Sequence, residues 1–416
     1  MNRKIGNLFK GDKVIWMIFL FLCLISVVEV FSASSTLTYK SQNYLSPLIY
    51  HSCMILFGVF VAIVILNIPC RYFKIVTPLL LFISFGTLLW VLIGGESING
   101  ANRVIRLAGF TFQPSEIAKG TMVLATAQIL SAMQRTDGKG ADDKAMKYVL
   151  TLVLPAVFLI GIENLSTACL LFMVIFLMMF IGRVPMIQMG KLMGAGALLI
   201  GVFLGLILTL GSLEKVDDEK ASQTTAAVHG SKDEIKGGGV FHRFATWRNR
   251  ILKHSGSGDV PPEKYDIDKN FQVGHANIAI ASSGIIGKGP GNSTERDYLP
   301  QAFSDFIYAI IIEEMGILGA IAVVFLYVIL LYRAARIAGR CENNFPAFLV
   351  LGLALLLVIQ ATINMMVAVG LMPVTGQPLP LISKGGTSTI INCAYIGAIL
   401  SVSRSAKQVE AVKPVV

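Results

Sequence analysis

One acidic side chain in the sequence stands where a polar loop turns into a long apolar run. The segment YLPQAFSDFIYAIIIEEMG, residues 298–316, carries Asp305 between Phe303 and Phe306. A carboxylate that is threatened with desolvation at the start of a helix suits the role of a general base or a metal ligand. The alternative is structural: with Ser304 as N-cap, Asp305 would lie in the first helical turn and stabilise it by about 0.3–1 kcal/mol.

A second group of charges lies in GGESINGANRVIRLAGFTFQPSEIAKG, residues 94–120. The proline and serine of QPSE suit the start of a helix, so that Glu116 and Lys119 would share one helix face. Arg103 and Arg106 lie just upstream. One interpretation is an ion pair that neutralises itself where the helix enters the membrane. The other is an anion site, in which the cations converge on a phosphate and Glu116 orients Lys119.

The segment ASSGIIGKGPGNSTERDYLPQAFSDF, residues 281–306, is rich in glycine before it reaches Asp305. It matches neither the P-loop nor the dinucleotide-binding fingerprint. Its four glycines, Lys288 and Asn292 could still present backbone N–H groups to a phosphate. A tight turn is the alternative meaning of the same composition.

The segment MPVTGQPLPLISKGG, residues 372–386, is apolar, but its prolines and its glycine pair prevent a regular helix. Non-helical backbone at membrane depth is tolerated only against protein or beside a water-filled cavity. This pattern favours a re-entrant loop that lines a cavity. An ordinary structured turn is the alternative.

The elements that must position these residues are membrane helices. Of 416 residues, 54% are hydrophobic and 14% are charged, and the mean hydropathy is +0.69. Soluble domains contain nearer a quarter charged residues, and one helical span needs about 20 apolar residues. The apolar runs are too long for the strands of an outer-membrane barrel. The composition therefore predicts an all-α, polytopic membrane protein, and its net charge of +10 does not require a nucleic acid.

The hydropathy pattern predicts ten transmembrane helices. Lys and Arg concentrate in the segments that are cytoplasmic if the N-terminus is cytoplasmic. Both termini are then cytoplasmic, including a tail at 404–416, and a long loop at 213–305 between the seventh and eighth spans lies outside. A cleaved signal peptide is the less favoured reading of the first span. The ten spans are 14–33, 47–67, 75–94, 115–134, 148–163, 167–182, 192–212, 306–332, 345–370 and 387–403.

The long outer loop begins with two segments of different character. Residues 216–239 mix charges with small residues, which is typical of flexible chain. Residues 241–254, FHRFATWRNRILKH, place aromatic and aliphatic residues at helical spacing among basic ones. Such a helix lies in the headgroup layer of a membrane or packs on the core of the loop itself.

Three motifs together resemble the SEDS family, the FtsW/RodA/SpoVE-type glycosyltransferases that polymerise peptidoglycan. They are NGANRVIRLAGFTFQPSEIAKG, GIIGKGPGNSTERDYLPQAFSDFIYAIIIEEMGILG and MPVTGQPLPLISKGGTS, in the family's order and spacing. The resemblance covers residues 14–404 and includes the count of ten spans. It implies one integral membrane domain over 1–416. The stretch VEVFSASS, residues 28–35, is more similar to the first span of FtsW, the septal member, than to that of RodA.

The resemblance also assigns site residues. The family's essential Asp corresponds to Asp305, its conserved Arg to Arg103, and the acid and base of its QPSE motif to Glu116 and Lys119. Lys384 replaces a usual Tyr and adds a cation, for which we predict a role in phosphate binding. Together with Lys288 and Asn292, these residues form the candidate substrate-binding set. Val104 stands in place of a usual Trp, which removes a sugar-stacking ring.

The implied substrate is lipid II, a disaccharide-peptide on undecaprenyl diphosphate, and the implied reaction joins the glycan of one molecule to another. Asp305 would deprotonate the acceptor hydroxyl or bind a divalent cation, Mg²⁺ or Mn²⁺; no organic cofactor is implied. The expected partners are a class B penicillin-binding transpeptidase, other division proteins and membrane lipids. The expected location is the bacterial inner membrane at the division septum.

Two other functions remain to be separated from polymerisation. A lipid II flippase would carry charge along a path through the bilayer, whereas the charges here cluster on the predicted outer side. A non-enzymatic scaffold would tolerate alanine at Arg103 or Lys119.

Overall fold

The structure is a computed structural model, and it describes residues 10–34, 46–94, 96–98, 101–107, 110–135, 140–199, 201–202, 205, 271–299 and 302–412. The described helices are α1 (Lys13–Ala33), α2 (Ser46–Asn67), α3 (Arg71–Gly94), α4 (Pro114–Ala132), α5 (Ala145–Glu163), α6 (Leu165–Ile181), α7 (186–199), α8 (Phe271–Ala281), α9 (Ile307–Ala338), α10 (Asn344–Ala368) and α11 (Thr387–Val412). A short 3₁₀ helix covers Glu295–Asp297.

The all-α membrane architecture predicted from hydropathy is confirmed. Nine of the ten predicted spans coincide with helices α1–α6 and α9–α11, and the observed ends lie within a few residues of the predicted ones at most boundaries. The seventh, 192–212, overlaps α7 at its start, and most of its second half lies outside the described residues. In the described part of the chain, six helices are long and apolar enough to cross a membrane: α1, α2, α3, α5, α9 and α10. The exact number of spans and their orientation stay predictions.

Small residues allow the helices of the bundle to approach closely. Helix α11 packs along α2, where a Cβ on Gly58 would lie 2.6 Å from the Cys393 sulfur and one on Gly397 would lie 2.6 Å from the carbonyl oxygen of Ala62. Close approach of this kind is how membrane helices gain van der Waals contact without a hydrophobic driving force. Helix α10 is central, because it contacts α4, α6, α9 and α11.

A short sheet that the sequence did not predict precedes α4. Strands β1 (Glu96–Ile98), β2 (Ala101–Leu107) and β3 (Phe110–Phe112) form it in that order. Strands β2 and β3 are antiparallel, with Ile105 opposite Phe112. The sheet places Arg103 on an ordered strand rather than in a loop.

Helix α9 is broken at Gly316. Its φ of 71° and ψ of −172° divide the helix into 307–315 and 317–338. The loop before α9 supplies the hydrogen bonds that the break removes: the amides of Lys288 and Gly289 donate to the carbonyls of Glu313 (2.9 Å) and Glu314 (2.8 Å). Pairing from a neighbouring segment is what allows a broken helix to persist in a membrane protein. The predicted span at 306–332 did not include this break.

The described contacts divide the chain into two compact units. The first comprises residues 1–98, 102–185 and 267–416, and the second comprises 99–101 and 186–266. In the second unit, the structure describes α7 as helix. The single-domain organisation over 1–416 stays a prediction. The predicted flexible segment at 216–239 and basic aromatic helix at 241–254 lie outside the described residues.

Candidate active site

Asp305 lies in a turn at residues 302–305, just before α9. The helix begins at Ile307 with Phe306 as its N-cap, and no side chain caps it. The prediction that Ser304 is the N-cap and that Asp305 belongs to the first helical turn is therefore wrong. Instead, the Ser304 hydroxyl donates to Oδ1 of Asp305 at 3.0 Å. This finding weakens the purely structural explanation of Asp305, because the residue does not cap the helix.

The backbone of the turn is held by three successive hydrogen bonds from later parts of the chain. The Lys384 amide donates to the Phe303 carbonyl at 2.9 Å. The Ser383 hydroxyl donates to the Ser304 carbonyl at 2.6 Å. The third bond, at 2.9 Å, runs from the Asn364 amide group to the carbonyl of Asp305 itself. These bonds fix the backbone that carries Asp305, and a fixed backbone is one requirement for the preorganisation of a catalytic group.

The side chain of Asp305 is half-buried, whereas Phe306 beside it is only 1% exposed. The carboxylate therefore stands at the boundary between the packed interior and accessible space. Partial desolvation strengthens the electrostatic interactions of such a group. This placement agrees with what a general base or metal ligand needs.

Lys384 is brought to the same turn. Its Nζ lies 5.1 Å from the centre of the Phe303 ring, in cation–π geometry, and its amide binds the carbonyl of that residue. Burial lowers the pKa of the Lys384 ammonium from its usual value. The structure thus places a half-buried cation and the Asp305 carboxylate on two segments that are directly hydrogen-bonded to each other.

The segment that carries Lys384 is non-helical from 371 to 386, as predicted, and we refer to it as the proline loop. Buried side chains from three helices bind its carbonyl groups. Ser26 donates to Ile382 at 2.6 Å, Gln360 donates to Pro378 at 3.1 Å, and Tyr327 donates to Pro380. These bonds satisfy backbone groups that a helix would have satisfied internally. Whether the loop enters a membrane from outside stays a prediction.

Glu116 and Lys119 form the predicted ion pair, but they do not face an open site. Nζ of Lys119 lies 2.7 Å from Oε1 of Glu116 and 2.7 Å from Oε1 of Gln360. Lys119 is 0% exposed and Glu116 is 1% exposed. Protein atoms enclose both side chains, which agrees with the ion-pair interpretation; direct binding of substrate by these two residues stays a prediction. Lys119 donates to Gln360, and Gln360 donates to the Pro378 carbonyl. The ion pair is therefore linked to the proline loop through Gln360.

The prediction for Arg103 remains open. The structure describes its backbone within β2, and its side chain lies outside the described residues, as does that of Arg106. Val104 between them is 8% exposed.

The glycine-rich loop binds carboxylates of the chain itself. Glu313 accepts hydrogen bonds from the Thr294 amide at 3.1 Å and from the Ser293 hydroxyl at 2.5 Å. Glu314 accepts from the amides of Gly291 at 2.9 Å and Ser293 at 3.3 Å. The amides that we predicted to face a phosphate are therefore used internally, because two buried carboxylates occupy that position.

Lys288 and Asn292 belong to the same arrangement. Nζ of Lys288 lies 2.5 Å from Oε1 of Glu313 and 3.0 Å from the Thr294 hydroxyl. The Asn292 side chain donates to the Lys288 carbonyl at 3.0 Å. Lys288 is thus engaged by Glu313 of α9 and by its own loop, and Asn292 by its own loop, so the tight-turn alternative describes this segment better.

The sequence did not identify four polar residues that fix the glycine-rich loop to the bundle. They are Glu313, Glu314, Arg296 and Ser32; the Arg296 guanidinium donates to the Ser32 hydroxyl at 2.9 Å, and that hydroxyl donates to Glu314. The signal was available in the EE pair, since adjacent acids inside an apolar run are costly unless they have partners.

The donor set for a divalent cation is small. Within the described residues, no three His, Cys, Asp or Glu side chains come together to hold a metal. Mg²⁺ is nevertheless commonly bound by one or two carboxylates together with substrate phosphates. Asp305, half-buried beside the Ser304 hydroxyl, fits that limited role and not an all-protein cage.

Comparisons with known proteins agree with the fold and identify the family. A family model described as "Cell cycle protein", for FtsW, RodA and SpoVE, matches residues 12–408. A protein of Geobacter sulfurreducens named "Probable peptidoglycan glycosyltransferase FtsW" is 30% identical over 412 residues, with 98% of this chain and 99% of the relative covered. A protein of Halomonas elongata with the same name is 29% identical over 407 residues, covering 93% and 89%.

Two solved structures share the architecture. A chain from the work "Structural coordination of polymerization and crosslinking by a peptidoglycan synthase complex" superposes with a TM-score of 0.70 at 24% identity, covering 96% of this chain and 99% of that one. The rod shape determining protein RodA of Thermus thermophilus superposes with a TM-score of 0.62 at 22% identity, covering 96% and 98%. At these identities the likeness supports the fold.

Proposed function

Because the chain belongs to the FtsW/RodA/SpoVE family, we propose that it is a peptidoglycan glycosyltransferase that polymerises lipid II. The observation that carries this proposal is the family match over residues 12–408, together with a relative named "Probable peptidoglycan glycosyltransferase FtsW" that aligns over 99% of its length. The enzyme joins the glycan of one lipid II molecule to the sugar of another. Undecaprenyl diphosphate is the leaving group of this reaction.

Asp305 acts in this proposal as the general base. Its carboxylate accepts the proton of the acceptor hydroxyl while the new glycosidic bond forms, a role that contributes about 10²–10⁴-fold to a rate. The three hydrogen bonds to the turn hold the backbone that carries this carboxylate in place before the substrate arrives. Half-burial reduces the solvent reorganisation that would otherwise accompany the proton transfer.

Lys384 neutralises negative charge on the diphosphate leaving group. Lys384 lies on the proline loop, which is hydrogen-bonded to the Asp305 turn. The base and the cation are therefore carried by two segments in direct contact. Arg103 is the second cation that we propose for this role, on the family resemblance. Glu116 and Lys119 act indirectly, because the proline loop rests on Gln360.

A divalent cation, Mg²⁺ or Mn²⁺, is compatible with this site. Asp305 and the substrate phosphates would hold it, and a bound cation would stabilise charge on the diphosphate. The two roles proposed for Asp305 predict different results with a chelator: EDTA abolishes activity if Asp305 binds a metal ion, and it does not if Asp305 acts as a base without a metal.

We further propose a partner and a location. The complex described above couples polymerization with crosslinking, which supports a class B penicillin-binding transpeptidase as partner, with other division proteins around it. The chain is a multi-pass membrane protein. The FtsW names of its relatives favour the division septum of the bacterial inner membrane.

The test is polymerisation of fluorescent lipid II by purified protein in lipid nanodiscs, with and without the transpeptidase and EDTA. Asp305→Asn keeps the size of the side chain and removes the base, so the rate should fall by about 10²–10⁴-fold. Asp297→Asn is the matched control, because Asp297 is exposed and lies upstream in the same connection to α9. It should retain the parent rate.

An Asp305→Asn protein that polymerises at the parent rate would remove Asp305 from the mechanism. A parent protein that moves lipid II across liposome membranes and makes no polymer would instead support the flippase alternative.

A further inference from the structure

One buried asparagine touches the backbone of Asp305 directly. Asn364 lies on α10 and is 1% exposed. Its Nδ2 donates to the Asp305 carbonyl at 2.9 Å and to the Gln377 carbonyl at 2.7 Å. A single amide group therefore joins α10, the Asp305 turn and the proline loop.

Only the donor half of this side chain is used. Oδ1 of Asn364 is buried and has no hydrogen-bond partner among the described residues. A buried polar atom without a partner costs about 1–3 kcal/mol, so this position is poorly explained by stability alone. What the site needs at residue 364 is an NH₂ group that can reach two carbonyl oxygens.

We propose that Asn364 is a positioning residue, which sets the orientation of Asp305 by fixing its peptide group between α10 and the proline loop. This inference rests on the proposed function, since it assigns to Asn364 an effect on the rate of polymerisation. Asn364 is not a catalytic residue, because its contacts are to backbone atoms of the chain.

The physical reason lies in how the turn is held. The carbonyls of Phe303 and Ser304 accept hydrogen bonds from groups of the proline loop. Asn364 ties the next carbonyl to α10, a central helix of the bundle. Ser26, Gln360 and Tyr327 still hold the proline loop when this bond is lost, but the Asp305 peptide loses its contact with α10 and can rotate. A misplacement of about 1 Å at a catalytic group costs on the order of 10²-fold in rate.

Three substitutions of Asn364 separate donation from size. Asn364→Asp and Asn364→Leu are close in volume to asparagine and lack the NH₂ group, and Asp also places an oxygen against two carbonyl oxygens. Asn364→Gln keeps the NH₂ group on a longer side chain. The matched control is Thr362→Val on the same helix, because Thr362 is exposed and its hydroxyl binds Val358 of its own helix.

The assay is steady-state polymerisation of fluorescent lipid II in nanodiscs, with rates expressed per folded molecule after size-exclusion chromatography. For Asn364→Leu we expect kcat to fall about 10–100-fold while KM changes less than about twofold. Asn364→Asp should fall at least as far. Asn364→Gln should recover part of the kcat that Asn364→Leu loses, and Thr362→Val should match the parent.

The outcomes distinguish this inference from the proposal on which it rests. If the parent makes no polymer, the proposed function fails. If Asp305→Asn is inactive while Asn364→Leu keeps the parent kcat, the positioning role alone is refuted. A loss confined to KM, or an Asn364→Gln protein no better than Asn364→Leu, would also overturn it. Should Asn364→Asp not fold, the Leu and Gln variants still decide the question.

Discussion

The break in α9 makes Gly316 the position where one added methyl group should have the largest structural effect. At φ 71° and ψ −172°, the backbone is in a region that is essentially restricted to glycine. A Cβ there would lie 2.2 Å from the Ile285 carbonyl oxygen and 2.5 Å from the Gly287 amide nitrogen. These contacts are to backbone atoms, so no side chain can rotate away to relieve them.

The cost of Gly316→Ala follows from two contributions. Backbone strain in this region amounts to about 1–3 kcal/mol. To relieve the clash, the glycine-rich loop must move away from α9, which breaks the bonds from Lys288 and Gly289 to the helix carbonyls. Two such bonds contribute about 1–3 kcal/mol together. We therefore expect a loss of about 2–6 kcal/mol, summed from these two ranges.

Thermal unfolding in nanodiscs and hydrogen–deuterium exchange measure the two parts of this effect. The melting temperature of Gly316→Ala should fall by several degrees or more, and the peptide covering 282–294 should exchange faster. Gly86→Ala is the matched control: Gly86 is exposed on α3, and a Cβ there would meet no atom within 4 Å. Because alanine favours a helix over glycine, the control should melt at the parent temperature or above it.

One result would refute the reasoning. If Gly316→Ala has the same melting temperature as Gly86→Ala and its 282–294 peptide exchanges at the parent rate, α9 is not broken and the loop is not fixed to it in the way described.

Two further predictions concern charged side chains. Lys384→Met should raise the KM for lipid II about tenfold, as expected for a lost charge-assisted contact. Because burial lowers the Lys384 pKa, the cation and its contribution are lost as pH rises through that lowered value, so kcat/KM should fall earlier on the alkaline side than for an ordinary lysine; an identical fall in Lys384→Met would contradict this. Glu29→Met should raise the melting temperature, because Glu29 is 0% exposed and neither carboxylate oxygen has a hydrogen-bond partner among the described residues, which costs about 1–3 kcal/mol; a lower melting temperature would show that the carboxyl group is needed.

Features that depend on local sequence were predictable. The apolar run at 14–33 became α1 at Lys13–Ala33, because helix length in a membrane follows from hydrophobic length. The prolines of 372–386 likewise ensured a non-helical segment. The i, i+3 spacing gave the ion pair of Glu116 and Lys119.

Features that depend on distant partners were not predictable. The break at Gly316 exists because the amides of residues 288 and 289 donate to helix carbonyls and the carbonyls of 284 and 285 accept from helix amides. No pattern around Gly316 identifies that segment. Ser304 resembled an N-cap by type, but its carbonyl and that of Asp305 bind residues about 60 to 80 positions later. The turn is shaped by those contacts, and the helix starts after it.

The buried carboxylates decide where a diphosphate can bind. Glu313 and Glu314 are both 0% exposed, and they take up the amides and the lysine of the glycine-rich loop. An anionic ligand there would have to displace hydrogen-bonded carboxylates and leave them buried without partners, at a cost of several kcal/mol.

The lysine of α4 is similarly engaged by Glu116 and Gln360. The proline-loop face is different: Lys384 is half-buried and lies over an aromatic ring, an arrangement that leaves its charge available to a phosphate. We therefore expect the diphosphate of the proposed donor to bind on the Lys384 side of Asp305, while the glycine-rich loop holds α9 in its broken form.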